Sequence, residues 1–254
     1  RFDFRREGYG GRVEVISDGD FTVRDVRTVG AYPGGVTAFR FDVREAEATG
    51  LVERLVAADT RQTNPGVTGV YVGRQHSGEL TFRDCRVEWF PDNGLYASAP
   101  GGAGGDIDVS GDGPVHVEGG RYRNNNVANV RLGSTGSTAR GVTIVVDEVP
   151  PHEDDVVNAR GLRLRGQRDQ VVEDCDIRIG PEAGDGFGAV VVHHDNGPFT
   201  MRNSRIRVDR DEVPAINALR PALPQADGPT FENVRITGTA SGGNTVTLIG
   251  RDVT

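Results

Sequence analysis

One short phrase returns along this chain at a near-constant interval. Val171-Val172-Glu173-Asp174-Cys175-Asp176-Ile177-Arg178-Ile179-Gly180 reads as a strand, a one-residue bend and a second strand, and its shape recurs at 22–26, 81–85, 200–204 and 230–234. The residue after the bend marks each repeat: Val26, Val56, Cys85, Gly120, Glu148, Cys175, Ser204 and Val234, at intervals of 27 to 35 residues. A period in this range is the mark of a solenoid, in which each repeat buries its apolar face only against its neighbours. Apolar residues alternate with polar ones inside the repeats, so the units are strands and not helices. Asp, Asn or Gly stands at most of the bends (Asp25, Asp84, Gly119, Asp174, Asn203 and Asn233), and these residue types tolerate a left-handed backbone.

A third strand follows each pair after a loop of variable length: 39–43, 70–72, 95–97, 130–132, 162–164, 190–192, 216–218 and 246–248. The expected class is therefore all-β, one solenoid of about eight rungs with three strands per rung. Stacked at roughly 4.8 Å, eight rungs make a rod of about 38 Å. The second rung, around Leu51-Val52-Glu53-Arg54-Leu55, fits the alternation poorly, and the fifth puts Glu148 where the others carry a small or apolar residue; local distortion is expected at both. Residues 1–254 are expected to form a single domain and to be a piece of a longer chain, with incomplete end rungs at 1–12 and 245–254. Arg1-Phe2-Asp3-Phe4-Arg5 nearly copies Arg40-Phe41-Asp42-Val43-Arg44, which places it on the third strand of a preceding rung. Bare end rungs invite contacts with further chain or other subunits.

Composition narrows the chemistry. All 29 basic residues are arginine, which removes lysine nucleophiles, lysine bases and Schiff bases. The net charge of −8 disfavours non-specific nucleic-acid binding. No apolar run approaches the ~18 residues of a membrane span. The Gly-rich stretch 98–105 lacks the lysine and helix of a phosphate loop; 149–155 reads as an acidic loop and 211–224 as a long connector. Cys85 and Cys175 hold equivalent positions three rungs apart, about 14 Å at the sheet spacing and too far for a disulfide, so both are expected to be free, buried thiols.

Outward positions on the third strands hold Arg40 and Asp42, Tyr71, Tyr96 and Ser98, Arg131, Arg163 and Arg165, Val191 and His193, Asn217 and Thr247. The middle of this set is a stripe of arginine and tyrosine. Guanidinium grips carboxylate or sulfate in a fork, and tyrosine offers a flat face to a sugar ring. Tyr71, Tyr96 and Arg131 are the candidate substrate-binding residues; Arg163, Arg165 and His193 are the candidate catalytic ones, with His193 as a base near neutrality. The plainer reading is a solvated face with Arg–Asp pairs. No metal site and no cofactor site is read from the sequence.

The repeat length, the Asx or Gly bend and the rung count resemble the right-handed parallel β-helix of the pectate-lyase-like superfamily, over nearly the whole chain. Asp92-Asn93-Gly94-Leu95-Tyr96, Val117-Glu118-Gly119-Gly120 and Val172-Glu173-Asp174-Cys175-Asp176 are similar to phrases of haloarchaeal β-helix repeat proteins without a settled activity. The resemblance implies a right-handed coil and polysaccharide binding along the third-strand face. The polygalacturonase motifs are absent. Where pectate lyases hold calcium with carboxylates, this chain has Tyr96, Arg131 and Arg163, and Pro150 replaces the aspartate of the alginate-epimerase Asp-Pro-His-Glu pattern before His152. The expected function is an extracellular or cell-surface β-helix that binds an acidic polysaccharide and cleaves it, if at all, by β-elimination. The alternative is a non-catalytic structural or adhesive rod.

A lysine-free, acidic chain fits a halophilic archaeal source, because concentrated ions screen the surplus carboxylates. The melting temperature should therefore rise from low to multimolar KCl. An unchanged or lower value at high salt counts against this expectation.

Overall fold

The parallel alternation read from the sequence is realised as three long sheets in a computed structural model. It describes residues 1–5, 11–32, 37–59, 61, 66–100, 111–152, 156–218, 228–240 and 246–248. The Gly-rich stretch beyond Pro100, the acidic loop at 153–155, the connector beyond Ala218 and the last rung beyond 248 lie outside the described residues. Every strand pair is parallel, and no described segment is α-helical. Among the described residues no helix is long and apolar enough to cross a membrane, which says nothing of strands.

The strands that lead into the bend form an eight-stranded entry sheet: Phe21–Arg24, Thr49–Glu53, Glu79–Arg83, Val115–Glu118, Thr138–Arg140, Gln170–Glu173, Phe199–Arg202 and Thr230–Glu232. Those that leave it form a seven-stranded exit sheet: Val56–Ala57, Arg86–Glu88, Arg121–Arg123, Thr143–Val146, Asp176–Ile179, Arg205–Val208 and Arg235–Thr237. The nine-stranded third-strand sheet runs through Val13–Ser17, Thr37–Val43, Thr68–Tyr71, Leu95–Ala97, Val130–Leu132, Arg160–Leu164, Gly188–Val192, Ile216–Ala218 and Val246–Leu248. The result is a β-solenoid of about seven full turns with three strands per turn. Every third strand expected from the sequence is present, four of them at the expected bounds.

Inward side chains stack on their counterparts one turn away. The entry ladder runs Val23, Val52, Phe82, Val117, Ala139, Val172, Met201, Phe231, and the exit ladder Val87, Tyr122, Ile144, Ile177, Ile206, Ile236. Most of these side chains are wholly buried. Each fully buried one contributes about 1.5–3 kcal/mol of transfer free energy, so the stacked ladders are the core.

The bends are single left-handed residues. Asp25, Arg54, Asp84, Gly119, Gly141, Asp174, Asn203 and Asn233 all have φ between 50° and 64°. Two of them correct the sequence reading. In the second rung the bend is Arg54, not Leu55, so Leu55 and not Val56 follows it, and Leu55 is wholly buried. An arginine bears this conformation with its guanidinium forked onto Asp25 of the previous bend, at 2.7 and 3.0 Å. In the fifth rung the bend is Gly141, not Asp147, and the buried Val142 takes the place assigned to Glu148. The apolar run 142–146 is the exit strand; its entry strand, Thr138–Arg140, has the single apolar residue Ala139 and shows no alternation. A further correction concerns the N-terminal end. Phe2–Asp3 pairs with Thr28–Val29, and the first third strand is Val13–Ser17, paired with Thr37–Val43. Residues 1–5 therefore do not occupy the third-strand position.

The residue before each bend forms a ladder that the sequence reading missed: Arg24, Glu53, Arg83, Glu118, Arg140, Glu173, Arg202, Glu232. The sign alternates on every rung. Arg24–Glu53, Arg83–Glu118, Arg140–Glu173 and Glu173–Arg202 make contacts of 3.1, 2.9, 3.3 and 2.7 Å. Exposed pairs of this kind stabilise little. Their larger effect is on register, because a strand slipped by one residue would carry its charge to the other face.

Cys85 and Cys175 are free and buried, and burial pushes both thiols up to about 11. Their Sγ atoms lie against the carbonyls of Val52 and Ala139. A thiol raised in the fold contributes stability that is whole below the unfolded pKa, about 9 for a cysteine, and is lost as pH rises through 11. The melting temperature should thus fall between pH 9 and 11, and the double variant Cys85→Ala/Cys175→Ala should show a shallower fall. Native thiols should react with an alkylating agent only at the rate of opening; fast labelling at pH 8 would contradict the burial.

Candidate functional site

The outward row of the third-strand sheet has the register expected from the sequence. Glu14, Arg40, Tyr71, Tyr96, Arg131, Arg163, Val191 and Asn217 stand opposite one another, one turn apart. Two residues further along the strands lies a second row with Asp42, Ser98, Arg165 and His193. Glycines interrupt it at Gly73 and Gly133, where a Cβ would fall 2.6 Å from the Asp42 carboxylate and from Ser98.

The two ends of the first row differ in how charge is met. Arg40 is neutralised: its Nε and Nη2 lie 2.9 and 2.7 Å from the wholly buried Asp42. It also lies over the Tyr71 ring, at 5.8 Å. Tyr71 and Tyr96 are 5.4 Å apart, and Arg131 covers the other side of Tyr96 at 3.9 Å. Arg40, Tyr71, Tyr96 and Arg131 thus form one continuous cation–aromatic stack along four turns, a favourable arrangement for guanidinium. A cleft of about 400 Å³ opens beside it, lined by Arg12, Thr37, Arg40, Thr68, Tyr71, Asp92 and Tyr96.

Beyond Tyr96 the charges have no such partner. Arg131 is 5% exposed and Arg160 is 9% exposed. Arg163 is half-buried beside Arg131. None of the three makes an ion pair among the described residues, and the Nε of each is buried without a hydrogen-bond partner. The buried Ser98 hydroxyl, in the adjoining row, is also unpartnered. Arg160 donates from Nη1 to the Val127 carbonyl at 3.2 Å and stacks on the exposed Phe187 ring at 4.6 Å. Desolvation, then repulsion from Arg131, holds Arg160 down at about 10; desolvation, then repulsion from Arg131, Arg160 and Arg165, holds Arg163 down at about 9. Desolvation also lowers Arg131. All three remain cations at neutral pH, so the fold keeps a dry cluster of positive charge whose cost a bound anion would relieve. The nearby Asp92 is taken up by Thr68 and Asn93.

Arg165 and His193, two of the expected catalytic residues, meet at Asp195. Arg165 Nε lies 3.0 Å from Asp195 and is neutralised there. His193 Nδ1 stands 2.9 Å from the other oxygen of Asp195, out of line for a ring N–H hydrogen bond. Burial tends to raise the Asp195 carboxyl, but the contacts with His193 and Arg165 outweigh it and hold it well below the usual carboxylate range. His194 packs against the His193 ring at 4.1 Å. Asp195 therefore lies against the Nδ1 edge of the imidazole, and Nε2 is on the opposite edge of the ring.

The structure brings Tyr71, Tyr96, Arg131 and Arg163 into one row and sets Arg165 and His193 in the next. Sequence reasoning missed Arg160 and Phe187. Arg160 lies two residues before the strand read at 162–164, and Phe187 sits in a Gly-flanked turn whose pattern carries no signal for either role. Among the described residues no three His, Cys, Asp or Glu side chains come together to hold a metal ion. Compared with protein-family models, curated proteins and solved structures, the chain has no match in any of the three.

An anion in the cluster should stabilise the fold by RT ln(1 + [L]/Kd), about 1.4 kcal/mol at ten times Kd. At matched ionic strength, sulfate should raise the melting temperature more than chloride does, and Arg131→Ala/Arg163→Ala should abolish most of the difference. Without sulfate, Arg163→Met should be neutral or stabilising, because it removes a desolvated, unpaired charge. A marked loss of stability in Arg163→Met would show that the cation already has its partner.

Proposed function

We propose that the third-strand face binds a chain of acidic polysaccharide outside the cell or at its surface. The observation that carries this reading is the unneutralised cluster of Arg131, Arg160 and Arg163 adjoining the Tyr71–Tyr96 stack. Carboxylate or sulfate groups sit on the guanidinium of the half-buried Arg163, where they receive charge-assisted hydrogen bonds and offset the charge of Arg131 and Arg160 beside it. Sugar rings lie along the cleft against the ring edges of Tyr71 and Tyr96, and Phe187 offers a further exposed face beside Arg160. The solenoid of three parallel sheets supports a relation to the pectate-lyase-like β-helix proteins, and the all-arginine base count supports a halophilic archaeal source.

A second reading, cleavage, is favoured by one observation: the imidazole of His193 is set against Asp195 at the edge of the cluster. With a uronate carboxylate on Arg163, the proton on the adjacent carbon becomes more acidic. His193 Nε2 takes that proton, the carbon–oxygen bond to the leaving sugar breaks, and a double bond forms in the ring that remains. The leaving oxygen acquires a proton from water.

Incubation with a panel of uronate and sulfated polymers tests both readings. Binding should weaken as salt rises. Arg131→Ala/Arg163→Ala should lower affinity at least about tenfold, since a hydrogen bond to a charged group contributes about 1.5–3 kcal/mol. If the protein is a lyase, unsaturated product absorbs in the ultraviolet, and His193→Gln should abolish the product while leaving affinity within about twofold. No binding to any polymer would leave the solenoid as a structural or adhesive rod.

A further inference from the structure

A second face of the solenoid breaks the charge rule that the entry sheet obeys. In the last turns of the exit sheet, Arg178 stands directly opposite Arg207, and Arg205 directly opposite Arg235. Like charges in directly opposed positions destabilise a sheet. The neighbouring entry sheet avoids this on all eight of its rungs. The side chains of Arg178, Arg205 and Arg207 are 55%, 69% and 58% exposed. Four arginines share two carboxylates: Asp176 serves Arg178 and, at 3.4 Å, Arg205, while Asp209 serves Arg207 at 2.6 Å. Arg235 has no ion pair among the described residues. The four line a shallow groove of about 280 Å³ with Asp176 and Thr237. The chain as a whole carries a charge of −8, so this patch runs against its composition.

We propose that this exit-sheet groove is a second, separate binding surface for a linear acidic polysaccharide carrying sulfate or carboxylate groups. The opposed arginines present cations at about the rung spacing of 4.8 Å, so successive acidic groups of one extended polymer bridge each like-charged pair. The lining is arginine, aspartate and threonine with no aromatic ring, so bases have nothing to stack on; this favours a polysaccharide over single-stranded nucleic acid. The surface lies on a different sheet from the Arg131 cluster and does not depend on it.

Dextran sulfate and polygalacturonate, titrated against the protein by calorimetry, test the assignment through the number of sites and their affinity. The wild type should show two classes of site. Arg131→Ala/Arg163→Ala should retain one salt-sensitive class, and adding Arg205→Ser/Arg235→Ser should weaken that class at least about tenfold. In the wild-type background, Arg205→Ser/Arg235→Ser should reduce two classes to one; its side chains are exposed, and circular dichroism should confirm an unchanged fold. Loss of all binding in Arg131→Ala/Arg163→Ala would overturn the exit-sheet site and leave the third-strand reading standing. Loss of only the exit class in Arg205→Ser/Arg235→Ser, with the third-strand class unchanged, confirms the separation. The proposal is also overturned if single-stranded DNA of matched charge competes as well as the polysaccharide. It is overturned too if sedimentation shows that Arg205→Ser/Arg235→Ser abolishes self-association while polymer binding is unchanged.

Discussion

Each residue of this solenoid faces, at about 4.8 Å, the residue that holds the same place one turn later. In a parallel, in-register stack, the chemistry of each strand position depends first on what lies directly above and below it. Apolar positions meet this condition by stacking like on like, as in the exit ladder Tyr122, Ile144, Ile177 and Ile206. Charged positions do so only at a cost, and the residue before each bend alternates between arginine and glutamate from Arg24 to Glu232. The left-handed bend is what allows the stack to close: with φ near 50–64° at eight bends, entry and exit strands leave the corner in the same relation on every turn.

The same constraint gives the third-strand face its character. Tyr71 on Tyr96 is a like-on-like stack that costs nothing. Arg131 on Arg163 is one that does, and Arg160 adds a third cation to it. The fold meets part of this through the Tyr96 and Phe187 rings, which attract guanidinium by their negative faces. The remainder stands as a lowered affinity of Arg160 and Arg163 for their protons. Glycine at Gly133 keeps a side chain out of the space beside Arg131, between Ser98 and the Arg165 carbonyl. A stack of unneutralised, dry cations stabilises nothing in the free protein, and its complement is an anion.

Each misread position has its own physical cause. At the fifth rung the near-constant interval drew the marker to Glu148, while the true bend is Gly141, only 22 residues after Gly119. The alternating ladder held the correcting signal. Arginine is required before that bend, and Arg140 supplies it, whereas Val146 does not. At the second rung Arg54 defies the Asx rule because its guanidinium is anchored on Asp25, a partner 29 residues away. Phe2–Asp3 resembles the third strand at 40–44 in sequence, but pairing is settled by which edge is open, and Val13–Ser17 takes that edge.

The period, the bend residues and the two-residue alternation determined the all-parallel solenoid, its three strands per turn and the outward row Arg40, Tyr71, Tyr96, Arg131, Arg163, because each of these depends only on local geometry and on repetition. What only the tertiary structure decided is which of those outward arginines are neutralised. Arg40 has Asp42 two residues away, yet Arg165 finds Asp195 from the next turn, and Arg131, Arg160 and Arg163 find no carboxylate among the described residues. Loop lengths between the strands vary, so the carboxylates that loops deliver to a face are set by how the turns pack and not by the repeat. Desolvation is likewise a property of everything that surrounds a side chain. The sequence marks an arginine as outward, and only its packing makes that arginine buried and unpaired.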